Sequence, residues 1–226
     1  MAKNFKNPQL AIPRRELLPD TTHGDDEDPL KFYYSFPYNY IYKRRLSMPL
    51  SLMNKHYNSL LEIGYGSGIF LPSLSKIAKD IYGLDIHPFE NKVCKAMKNL
   101  GVNANLVRGD LFKMPYKNNS FNAIVCMSTL EHIEPIKLKN AVQEFSRVLI
   151  KGGDIYLGVP AKNKITDIFF EKFCKVKLDA GDMHKSSPKD VITAVKTKFK
   201  IDKIITLPLN MPLSLSFYVV IKATRL

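Results

Sequence analysis

The sequence predicts an α/β fold: an open, seven-stranded, mostly parallel sheet with helices on both faces and an antiparallel β-hairpin at the C-terminus. Three observations carry that expectation. From Ser59 onward, short apolar runs alternate with helical patterns. Several strand-like runs are apolar without interruption, as strands buried on both faces require. The last two runs, "IDKIITLPL" and "SFYVVIKATR", are joined by a connection too short for a helix, so they should pair antiparallel.

The elements follow in order. "SLLEIGYG" reads as strand one, and "IFLPSLSKIAK" as a helix with Pro72 in its first turn, where a missing N–H leaves no bond unmade. "DIYGLDI" is strand two. Pro88 opens the helix "PFENKVCKAMKNL", which Gly101 stops. "ANLVRGD" and "FNAIVCMS" are strands three and four. Leu138, Ala141, Val142, Phe145, Val148 and Leu149 recur at helical spacing, and Gly152 and Gly153 end that helix. "DIYLGVP" is strand five. Ser187, Pro188 and Asp190 supply the cap, first-turn proline and first-turn acid of a helix through Phe199.

Residues 1–58 read as an N-terminal arm and aromatic cap segment, ahead of a domain spanning 59–226. Residues 1–30 are rich in Pro, Asn and charge, with acids at Asp25, Asp26, Glu27 and Asp28, and they lack periodicity. A mobile or draped arm is the expectation. Phe32 to Tyr42, "FYYSFPYNYIY", carries too much apolar surface to leave in water, so it should pack on the domain or line a pocket.

Composition narrows the classes. A chain of 226 residues suits one domain with a modest appendage. No apolar run approaches the roughly 20 residues of a membrane-spanning helix. The polar, lysine-bearing start has no secretory signal, which points to the cytoplasm. Cys94, Cys126 and Cys174 lack any CxxC spacing, which argues against a disulfide framework or structural zinc. The net charge of +13 suits an anionic partner, or equally lysines spread over solvent-facing helices. No arginine-rich or basic–aromatic block stands out, so a nucleic-acid partner has no support beyond that charge.

The stretch "LLEIGYGSGIF" places Gly64, Gly66 and Gly68 directly after strand one. Bare backbone at that point lets a ligand approach closely. The spacing is not G-x-G-x-x-G, because Ile69 stands where the dinucleotide fingerprint wants glycine, and no phosphate-loop motif follows. Glu62 precedes Gly64 by two residues. Asp85 falls at the end of strand two, where an acid can accept both hydroxyls of a ribose, and Asp110 falls at the end of strand three. All these groups collect at the carboxyl ends of adjacent strands, the crevice where open α/β sheets bind ligands.

In order, "LLEIGYGSG", "IYGLDIHP", "GDLFKMPYKNNSFNAIVCMSTLEHI" and "EFSRVLIKGGDIYLGVP" resemble a class I S-adenosylmethionine-dependent methyltransferase of the type 11 group, from about Leu60 to the C-terminus. The resemblance implies a Rossmann-like domain and S-adenosylmethionine as cofactor. It implies that Gly64, Gly66 and Gly68 admit the methionine portion, with Glu62 organising the loop and the amino group. Asp85 would hold the ribose, Ile86 would lie against the adenine, Asp110 would accept the adenine amino group, and Leu111 would stack nearby. Cys126 and Met127 would line the floor beneath the sulfonium. No metal ligand set is implied.

His132 and His184 are the candidate general bases, required only where the acceptor must lose a proton; each has a structural reading as well. Glu131 could orient His132, or simply be solvated. Tyr38, Tyr40 and Tyr42 are candidates to close the pocket, and Arg44 and Arg45 either meet an anionic acceptor or flank a helix. "CMSTLEH" stands where amino-methylating enzymes of DNA bases carry a D/N-P-P-Y/F run, and Cys126 does not follow a proline as a cytosine-attacking thiol would. The expected function is methyl transfer to a small-molecule or lipid-like acceptor by in-line displacement. The alternatives are an RNA or protein acceptor, or a non-catalytic homologue that binds the cofactor.

Overall fold

The computed structural model describes residues 8–22, 29–161, 184–209 and 211–226. The acidic cluster at 25–28 and Cys174 lie outside the described residues. The strands are β1 (Tyr57–Ile63), β2 (Ala78–Asp85), β3 (Ala104–Arg108), β4 (Phe121–Met127), β5 (Leu149–Pro160), β6 (Phe199–Leu207) and β7 (Tyr218–Arg225). They form one sheet in the order β3-β2-β1-β4-β5-β7-β6. β1 to β5 pair in parallel, and β7 lies antiparallel between β5 and β6. The predicted terminal hairpin is therefore present. The strand order reverses between β1 and β4, which opens a crevice at their carboxyl ends.

The described α-helices are α1 (Tyr38–Leu52), α2 (Leu71–Leu74), α3 (Glu90–Asn99), α4 (Leu138–Val148) and α5 (Pro188–Val195). Two apolar layers sandwich the sheet. Leu46 and Leu50 of α1, Leu71 and Leu74 of α2, and Val93 and Met97 of α3 pack with Leu60, Val125 and Val220 on one face. Phe145 of α4 and Val191 and Val195 of α5 pack with Leu61, Ile124 and Leu157 on the other. A parallel strand buried on both faces has no polar side to show, which is why the sequence runs are unbroken.

Element ends shift by a few residues from the sequence expectation, and three of the shifts have a clear cause or consequence. The helix after β1 is only Leu71–Leu74, and β2 already begins at Ala78. Gly152 and Gly153 lie inside β5, near its start, rather than ending α4, with Gly152 at φ +73° and a register shift against β4 between Phe121 and Ala123. A bulge there lets the chain leave the helix straight into the sheet. The capped helix stops at Val195, because Phe199 is needed as a buried strand residue. Its start matches: Ser187 and Asp190 form a reciprocal capping box.

Residues 8–22 are draped over the sheet layer. The Ala11 N–H donates to Ser73 Oγ at 2.9 Å, the Ser73 hydroxyl returns to the Ala11 carbonyl at 3.2 Å, and Tyr34 donates to the Pro13 carbonyl at 2.7 Å. Leu18, Leu30 and Tyr33 are buried in the same core as β1 and β7.

Candidate active site

At the end of β1 the chain turns through Gly64, Gly66 and Gly68, at φ +74°, +49° and +78°. The three glycines are required for different reasons. A Cβ on Gly64 would stand 2.2 Å from Thr129 Oγ1, and one on Gly68 would stand 2.8 Å from Val93 Cγ1. Those two are needed for packing against the protein itself. At Gly66 the nearest atom is Thr21 Oγ1 at 4.0 Å, so this glycine borders open space. Bare backbone there serves a molecule outside the fold.

Two side chains, one ending β2 and one just after it, clamp the turn. Asp85 Oδ2 accepts the Gly66 N–H at 2.8 Å, and its Oδ1 accepts the N–H groups of Ile86 at 2.7 Å and His87 at 3.3 Å. His87 is buried; its Nδ1 accepts the Phe89 N–H at 3.1 Å, which leaves Nε2 to donate to the Gly66 carbonyl at 3.0 Å. Asp85 Oδ2 accepts only the one bond and so keeps a second acceptor direction, and the side chain is still 13 % exposed. The acid that orders the turn thus keeps capacity for ligand hydroxyls.

Glu62 sits two residues before the turn and is only 4 % exposed. Its Oε2 is shielded from solvent and has no hydrogen-bond partner among the described residues. Burial, with Asp85 adding to it, pushes its carboxyl well above the usual range. A buried oxygen with an unmade bond is costly in a finished fold, and a cationic amino group would complete it. Ile86, directly after Asp85, is 62 % exposed, and Phe112 is 37 % exposed. Asp110 is exposed and its Oδ1 accepts the Phe112 N–H at 2.8 Å, while Leu111 packs partly against the core. The glycine turn, the orphaned Glu62 oxygen and the Asp85 carboxylate fit the methionine, amino and ribose parts of S-adenosylmethionine.

The floor differs from expectation. Cys126 is fully buried in the apolar layer beneath α4, and burial pushes its thiol up. The alternation of a strand sends neighbours to opposite faces, so Met127 packs in the other layer, against Gly158 of β5.

Across the crevice lies a second cluster. Ser128 directly follows β4 and is held at φ +57°; its hydroxyl meets the Tyr218 hydroxyl at 2.7 Å and the Arg45 guanidinium. That guanidinium lies between the rings of Tyr42, at 4.5 Å, and Tyr218, at 4.8 Å. Burial works against its charge, but Tyr218, Tyr33, Tyr42 and Glu131 hold it cationic. Its Nε is shielded and lacks a partner among the described residues. Glu131, 1 % exposed, also has an unpartnered Oε2, and burial pushes its carboxyl up to about 8.

His132 and His184 are brought together, with ring centroids 5.6 Å apart. The Glu131 carbonyl accepts the N–H groups of Lys185 at 2.7 Å and Ser186 at 3.0 Å, which fixes the segment carrying His184 beside His132. Of the three candidate tyrosines, Tyr42 stacks on Phe32 and Tyr38 tilts against the same ring, each with centroids at 5.1 Å. Tyr40 is 71 % exposed and points away from them, as does exposed Arg44. Spacing on a helix explains the split: positions 38, 42 and 45 share one face, and 40 and 44 share another. Sequence reasoning missed His87, Ser128 and Tyr218. Tyr218 lies in an apolar strand and reads as core, and a single Ser after a strand carries no signal.

Residues 61–157 match the family model described as a methyltransferase domain. An uncharacterized methyltransferase of Anoxybacillus flavithermus is 28 % identical over 105 residues, 46 % of this chain and 48 % of its own. A probable ribosomal RNA small subunit methyltransferase A of Methanococcus maripaludis is 27 % identical over 95 residues, 40 % of this chain and 34 % of its own. The chain spans about half the length of the first of these curated relatives and less of the second. Among solved structures, the N-methyltransferase NodS of Bradyrhizobium japonicum, in complex with S-adenosyl-L-homocysteine, superposes with a TM-score of 0.62 at 16 % identity, covering 89 % of this chain and 93 % of that one. Residues 61–157 thus carry a methyltransferase domain similar to those of class I S-adenosylmethionine-dependent enzymes, for which S-adenosylmethionine is the cofactor. No helix among the described residues is long and apolar enough to cross a membrane.

Proposed function

We propose that the chain transfers the methyl group of S-adenosylmethionine to a small-molecule acceptor held between the glycine turn and the Tyr42–Arg45–Tyr218 cluster. The observation that carries the reading is the unpartnered Glu62 oxygen beside a clamped glycine turn whose middle residue borders open space. In this reading Glu62 takes the cofactor's amino group, Asp85 takes the ribose hydroxyls, and Ile86, Leu111 and Asp110 receive the adenine. The sulfonium supplies an already electrophilic methyl carbon. The chain's own part is to hold the acceptor in line and exclude water, effects that supply about 7–11 kcal/mol in favourable cases. Arg45 of α1 reaches Ser128 just beyond β4, so the helix borders the proposed acceptor site, and its cation favours an acceptor with anionic or π-electron character. Where no cation is bound between them, His132 and His184 are the candidates to take a proton.

RNA is the second reading, favoured by the net charge of +13 and by the ribosomal RNA methyltransferase among the relatives. Incubation with methyl-labelled S-adenosylmethionine, a panel of small hydroxyl, amine and thiol compounds, and ribosomal RNA separates the two. Label in a small molecule supports the proposal; label only in RNA replaces it. No transfer to any acceptor, together with no binding of cofactor, would leave a non-enzymatic homologue.

A further inference from the structure

We infer that Glu131, His132 and His184 form a divalent-cation site beside the acceptor pocket; its use, though not its existence, rests on the methyl-transfer reading. One ligand atom from each of these residues lies within 4.8 Å of the other two. Metal–ligand bonds of roughly 2.0–2.2 Å place neighbouring ligands roughly 3–4 Å apart, so modest side-chain rotation closes the site. Sequence alone gave no hint, because the two histidines are far apart along the chain.

Two independent features support the assignment. Glu131 is buried with one carboxylate oxygen lacking any hydrogen-bond partner among the described residues. Withdrawing such an oxygen from water without compensation is unfavourable, and a cation supplies the compensation. The scaffold is also fixed: Lys185 and Ser186 donate to the Glu131 carbonyl, and the Ser186 hydroxyl donates to the Ile133 carbonyl. Those bonds tie the His184 segment to the turn bearing the other two ligands. The bland alternative is a carboxylate and two imidazoles that merely hydrogen-bond. The Arg45 charge, which acts on Glu131, opposes a cation and should weaken the site without abolishing it.

Two imidazoles and one carboxylate suit Zn²⁺, Mn²⁺ or Fe²⁺ better than Ca²⁺ or Mg²⁺. Three protein ligands leave positions open, and His132 is exposed while His184 is half-buried, so the open side is reachable. An acceptor hydroxyl bound there becomes more acidic. It releases its proton to solvent, the oxygen forms a bond to the methyl carbon, and the carbon–sulfur bond breaks with its pair on sulfur. The acceptor class is therefore a hydroxyl-bearing small molecule.

The test is titration of chelator-stripped, tag-free full-length chain with Co²⁺, read by visible absorption, and with Zn²⁺, read by calorimetry. Binding of S-adenosylhomocysteine is measured on the same samples. One cation per chain is expected, lost when His132→Ala and His184→Ala are combined, and weakened about tenfold or more by Glu131→Gln. S-adenosylhomocysteine binding should persist in these variants, which shows that they fold. Absence of saturable cation binding in the wild type, or undiminished binding in the double variant, overturns the site. A wild type that binds the cation but not S-adenosylhomocysteine would instead sink the cofactor reading and leave the metal site standing.

Discussion

Gly64 and Gly66 stand two residues apart in one turn, yet they should fail differently when substituted. Gly64→Ala drives a Cβ to 2.2 Å from Thr129 Oγ1 in a left-handed conformation, so it should destabilise the fold by about 1–3 kcal/mol in urea denaturation. Gly66→Ala meets nothing closer than 4.0 Å and should lose only about 1–2 kcal/mol from its φ. Its S-adenosylhomocysteine affinity should nevertheless fall, about tenfold for each ~1.4 kcal/mol of contact with the ligand. A Gly66→Ala protein that binds like wild type would mean that the open space is not the cofactor's. Glu62 adds a pH signature. Burial raises its carboxyl above the ordinary 4.5, so its protonated form stabilises the fold fully below about 4.5, and that contribution is lost as pH rises through the folded value. Binding a cationic amino group needs the carboxylate, so cofactor affinity should rise with pH over the same window, by up to about tenfold per unit. Glu62→Gln should flatten both slopes; a slope that survives the substitution belongs to another group.

At the scale of elements, α1 and α5 carry the informative comparisons. The capping box at Ser187 closes the start of α5, and Ser187→Ala should cost about 1 kcal/mol of stability. This cap was legible in the sequence because its chemistry is local: Ser, Pro and Asp at fixed offsets. So were the glycine turn and Asp85, each tied to the end of an apolar run. The face of α1 was not, because the aromatic run "FYYSFPYNYIY" has rings on every side and only packing selects Tyr42 and Tyr38 over Tyr40. Tyr40→Ala should leave methyl transfer unchanged, whereas Tyr42→Ala, which unstacks Phe32 and uncovers Arg45, should lower turnover more than it lowers thermal stability. Equal effects from the two would remove α1 from the acceptor site. The pairing of His132 with His184, and of Arg45 with Ser128 and Tyr218, was equally hidden, since those contacts join segments 52 and 83 or more residues apart through the sheet.

For the whole molecule, two apolar layers fix a seven-stranded sheet, and the buried Glu62 and Glu131 oxygens that lack partners among the described residues lie at and just beyond the carboxyl ends of β1 and β4. Topology explains that placement: where the strand order reverses, no crossover covers the strand ends. Parallel strands and the final hairpin followed from apolar patterning and connection length, which act over the full chain and leave a strong signal. The exact helix ends did not, because Gly152 and Phe199 serve the sheet rather than the helices they follow. The central claim is that this crevice binds S-adenosylmethionine through the Asp85 carboxylate and the turn that it clamps. Calorimetric titration of wild type and Asp85→Ala with S-adenosylhomocysteine tests it most directly. One micromolar site per chain is expected in the wild type, weakened about tenfold to a hundredfold when charge-assisted bonds worth about 1.5–3 kcal/mol are removed. A wild type that takes up no S-adenosylhomocysteine, or a folded Asp85→Ala that binds it equally well, would rule out this binding mode.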